Sequence, residues 1–77
     1  MLNQPNSRYL TQLPALGTRV TFISGDQALM DAHRIHTGDT GTVVGHTELA
    51  GHHFVVAVDF GGVRPVVCLL AELAEVA

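Results

Sequence analysis

The chain has no lysine, and four arginines supply all of its fixed positive charge. Seven acidic residues outnumber them, leaving a net charge of −3. Binding to the phosphates of DNA or RNA draws on many Lys and Arg contacts. Composition therefore argues against nucleic acid as the main partner. The single cysteine, Cys68, excludes an internal disulfide and fits a reducing compartment, so a cytoplasmic location is expected. No apolar run approaches membrane-spanning length, and the opening residues MLNQPNSRYLTQLP contain no continuous apolar segment of signal type. No membrane partner is expected.

Charge of either sign is scarce. Only 14% of the residues are charged while 47% are hydrophobic. A chain of 77 residues makes one small domain whose core cannot hide that much apolar surface. Some of it should face a protein partner, most simply a second copy of the same chain.

Residues 1–16 carry Pro5 and Pro14 and show no clean period, which reads as a flexible N-terminal tail with Leu10, Leu13 and Leu16 as its candidate anchor points. From Gly17 the pattern is β. Thr18–Ser24 alternates, with Val20 and Phe22 on one face. The long loop Gly25–Asp39 follows, with Asp26 placed to N-cap a helical turn through Ala28–Ala32. Thr40–Thr47 is a second strand and His52–Phe60 a third, rich in β-branched residues. Gly61-Gly62 reads as a two-residue hairpin turn, and Val63–Leu69 as a fourth strand. Pro65 cannot donate to a ladder, which implies an edge or a bulge. LAEL makes a tight turn, and AEVA a short closing strand. The expected fold class is all-β: a small five-stranded barrel over residues 17–77, with a long first loop and a short helical turn before the last strand. Its expected core is Val20, Phe22, Val43, Val56, Val58, Phe60 and Leu73.

The run GTRVTF…GDTGTVVG…FVVAVDFGG…LLAELAEV resembles the SH3-like barrels of the KOW type and of the electron-transport-accessory type, over roughly residues 17–76. The accessory group implies a small protein that docks on a larger partner. KOW modules imply binding to RNA or protein. The type II dihydrofolate reductases, homotetrameric barrels of similar length, imply a ligand site between subunits. Their Val-Gln-Ile-Tyr stretch in the fourth strand is replaced here by Val66-Val67-Cys68-Leu69, so their activity does not carry over.

The glycines of HTGDTGTVVGH precede a strand rather than a helix, which argues against a phosphate loop. The carboxylates are scattered and Cys68 lies in an apolar run, so no catalytic site and no cofactor are expected. The run VVCLL does not alternate in composition, so it is either covered on both faces or meets another protein. The expected partner-binding residues are therefore Val67, Leu69 and Leu70, with His33, Arg34 and His36 from the long loop. A nucleic-acid module would instead use Arg19, Arg34 and Arg64. A metal site is not expected; the one histidine grouping to test is His46 with His52 or His53, since zinc needs three or four converging ligands.

Overall fold

The computed structural model describes residues 9–49, 51 and 53–76, with Leu49 described by its backbone alone. The order of elements is β1 (Arg19–Phe22), α1 (Gln27–His33), β2 (Thr40–Leu49), β3 (His53–Asp59), β4 (Val66–Leu69), a 3-10 turn (Leu70–Glu72) and β5 (Leu73–Glu75). Five antiparallel strands form one open sheet in the order β4-β3-β2-β1-β5. The two edges of that sheet are β4 and β5.

Register explains the core. Val43 pairs with Val58, Val58 with Val66, Val56 with Cys68, and Phe22 with Leu73. Directly opposed residues share a face, so these side chains stack on one side of the sheet. Val20, Phe22, Val43, Val56, Val58, Cys68 and Leu73 are essentially fully buried, joined by Ile35 and Val66. Phe60, expected in the core, is half-buried and packs its ring edge-on against Phe22, with centroids 6.2 Å apart at 86°.

The long first loop is ordered by its own polar residues. Asp26 caps α1 by accepting from the Leu29 N–H at 3.1 Å, and Ser24 Oγ accepts from the Asp26 N–H at 3.0 Å. The Thr37 hydroxyl donates to the Ser24 carbonyl at 2.9 Å, drawing the two ends of the loop together. Between them Ile35 turns inward and is 4% exposed. The helix runs the full seven residues Gln27–His33 rather than a single turn.

One local expectation needs correction. The link from β3 to β4 is not a two-residue turn, because β3 ends at Asp59 and β4 begins only at Val66. The Asp59 carboxylate accepts from the Gly61 N–H at 2.7 Å, and Gly61 takes a φ of 95°. Pro65, which lacks an N–H, sits just outside the strand. At the N-terminal end, residues 1–8 of the expected tail lie outside the described residues. The later tail residues Leu10 and Leu13 pack against the core, and the Leu10 N–H donates to the Leu73 carbonyl at 2.8 Å.

Candidate binding surfaces

Strand β4 alternates in burial although its composition does not. Val66 and Cys68 are buried, while Val67 is 57% and Leu69 is 50% exposed. Register places Val67 beside Ala57 and Leu69 beside Val55, with Gly45 and Thr47 next across β2. These six residues carry no formal charge, while Asp59, exposed at the end of β3, lies on the same face. A shallow groove of about 200 Å³ runs through Gly45, His46, Thr47, Val55, Ala57 and Val67. Val44, at the register shift between Val43 and Gly45, adds a further exposed apolar side chain. Leu70, expected with this group, is half-buried and packs against the core from the 3-10 turn.

The two sheet edges differ. Natural sheets protect an edge with charge, proline, a bulge or a covering segment. Strand β5 carries Glu75, spans three residues and receives the Leu10 hydrogen bond at Leu73. Strand β4 has no charge or proline within it and a regular register against β3, but its Leu69 N–H donates to the Glu72 carboxylate at 2.9 Å, which covers one end of that edge.

A second surface lies between the C-terminal end of α1 and the β3–β4 link. It is a groove of about 540 Å³ into which Arg34, Arg64 and His33 project from exposed positions. Its apolar lining includes Ile35, Phe60 and Val66. Arg34 ends α1 in the left-handed conformation at φ 57°, ψ 42°, with its N–H donating to the Met30 carbonyl. Glycine is the usual residue at such a helix end, and a side chain there costs on the order of 1 kcal/mol. Neither the Arg34 nor the Arg64 guanidinium has a hydrogen-bond or ion-pair partner among the described residues. The acid in the groove, Asp39, is held by the His36 N–H at 2.9 Å, with His36 Nδ1 at 3.8 Å from the same carboxylate oxygen.

Of the remaining candidates, His46 lines the outer-face groove, while Arg19 and His53 line neither groove. Arg19 donates to the hydroxyls of Thr42 at 3.2 Å and Thr40 at 3.1 Å, so the three arginines of the nucleic-acid set do not converge. His46 pairs with Val56 and His53 with Leu49, which alternation along β3 assigns to opposite faces of the sheet. His52 lies outside the described residues. No three His, Cys, Asp or Glu side chains converge among the described residues. Cys68 is 1% exposed, and burial, with a smaller contribution from the Glu72 carboxylate, pushes its thiol up to about 12. A thiol so placed is not a nucleophile at neutral pH.

Sequence reasoning missed two features of the groove. Ile35 is the one apolar residue in the polar run HRIHTGD, which is a usable signal for an inward turn. The left-handed Arg34 leaves no trace in composition or periodicity. In comparisons with protein-family models, curated proteins and solved structures, the chain matches none.

Proposed function

We propose that the chain is a small SH3-like barrel that serves as a non-catalytic accessory module, docking on protein through β4 and the outer face beside it. The partner is a second copy of the chain in the simplest case. The observation that carries this reading is the exposure of Val67 and Leu69 on the edge strand β4. The sheet order supports the barrel, because β1 pairs with both β2 and β5, as the SH3-like connectivity requires. Self-association fits the charge distribution. The chain as a whole carries −3, so two copies repel except where the contact surface is uncharged. A two-fold contact brings the same patch onto itself, and the centre of that patch, Val55, Ala57, Val67 and Leu69, carries no charge to oppose its copy.

Val67→Asp tests the reading. The side chain is largely exposed, so the folded state should change by no more than about 0.5 kcal/mol. Sedimentation velocity at micromolar concentration should show the wild-type chain as an oligomer and the variant as a monomer with an unchanged circular-dichroism spectrum. A wild-type monomer at those concentrations contradicts self-association. A variant that unfolds contradicts the exposed placement of Val67.

A further inference from the structure

We propose that the groove between the end of α1 and the β3–β4 link is a binding site for an acidic peptide segment with interspersed apolar side chains. Two independent observations carry it. The first is Arg34 itself. Its backbone holds a conformation suited to glycine, and its side chain has no partner among the described residues to account for an arginine there. Where the chain tolerates strain for a side chain that does nothing for the fold, the side chain is kept for something outside it.

The second is convergence. In an acidic protein, two of the three described arginines and His33 border one concavity of about 540 Å³. Guanidinium groups offer planar pairs of donors that match carboxylates. Beneath them the lining is apolar, with buried Ile35 and Val66, half-buried Phe60 and the fully exposed Val63 at the rim. A ligand that satisfies both parts carries carboxylates for Arg34 and Arg64 and an apolar side chain for the floor.

A nucleic-acid strand fits less well. Its phosphates repeat along the chain, and the molecule offers no run of cations to follow them. Arg19 is occupied by Thr40 and Thr42, and the ring of Phe60 is engaged with Phe22. The site is separate from the outer face, since Val66 and Val67 point to opposite sides of β4.

The test uses fluorescence anisotropy at low salt with a labelled peptide that alternates aspartate and leucine. A peptide with asparagine for aspartate and a single-stranded RNA oligonucleotide serve as the other probes. Arg34→Gly is the informative variant, because glycine accepts the left-handed backbone and the fold is retained. The aspartate peptide should bind saturably, and Arg34→Gly and Arg64→Gln should each weaken it about tenfold or more, the loss of one charge-assisted contact. The asparagine peptide should not bind, and Val67→Asp should leave aspartate-peptide binding intact. Thermal melts should show Arg34→Gly folded. Absence of saturable binding, equal affinity in the arginine variants, or tighter binding of the RNA than of the peptide overturns the proposal.

Discussion

Gly41→Ala is expected to destabilise the domain by about 3 kcal/mol or more, at the upper end of what overpacking a core costs. A Cβ at this position would stand 2.7 Å from the Asp59 carbonyl oxygen, 2.7 Å from Val58 Cγ1 and 2.9 Å from the Phe60 ring. The first of these is backbone and cannot swing away. Relief requires β2 to move off β3 where Val43, Val58 and Val66 stack in the core. A chain of this length has on the order of 4–12 kcal/mol of stability in all, so the loss is a large share of it. Gly45→Ala is the control, because its Cβ would meet only the Ala57 methyl at 3.7 Å, an ordinary contact. Urea unfolding of both variants should give a large fall in midpoint for position 41 and a small change for position 45. Equal effects at both positions would contradict the close approach at Gly41.

Alkaline pH should weaken the fold through Cys68. An ordinary thiol titrates near 9.0, while the buried Cys68 thiol is pushed up to about 12. Below pH 9 both folded and unfolded chains keep the proton, and the group adds no pH dependence. Above it the unfolded chain releases the proton and the folded chain does not. Stability therefore falls by about 1.4 kcal/mol per pH unit until the folded thiol itself titrates. Cys68→Val keeps an apolar side chain of similar size and removes the titration. Between about pH 8 and about pH 10.5, the wild type should lose about 2 kcal/mol more than the variant in urea unfolding. Parallel losses in the two proteins would show that the thiol is not responsible.

Much of the sheet was legible in the sequence because alternation and β-branched residues act locally. Six of the seven expected core residues are fully buried, and only Phe60 keeps part of its ring at the surface. The stretch VVCLL misleads on composition alone. Its apolar residues face two ways, and only the pairing with β3 shows which of them reach solvent. Exposed Val67 and Leu69 are thus a tertiary fact, although the run that holds them was conspicuous. The Gly61-Gly62 pair signalled a turn but not its length, which depends on where Pro65 lets β4 begin.

The expected partner-binding set divides between surfaces. Val67 and Leu69 share the outer face, while His33 and Arg34 border the arginine groove. His36 joins neither, spending its backbone N–H on Asp39. Such a division is invisible in one dimension, because the loop and β4 approach only after the sheet forms. Arg64 was singled out in the sequence for a different role, and its placement beside Arg34 makes it a member of this second surface.

Docking through the β4 edge is tested most directly by amide hydrogen exchange of Val66–Leu69 as a function of protein concentration. If copies pair at that edge, β4 amides should slow as the concentration rises through the micromolar range, while those of the β5 edge stay constant. In Val67→Asp the concentration dependence should vanish. Exchange in β4 that is independent of concentration, in a wild-type chain that sediments as a monomer, would contradict docking of a second copy there.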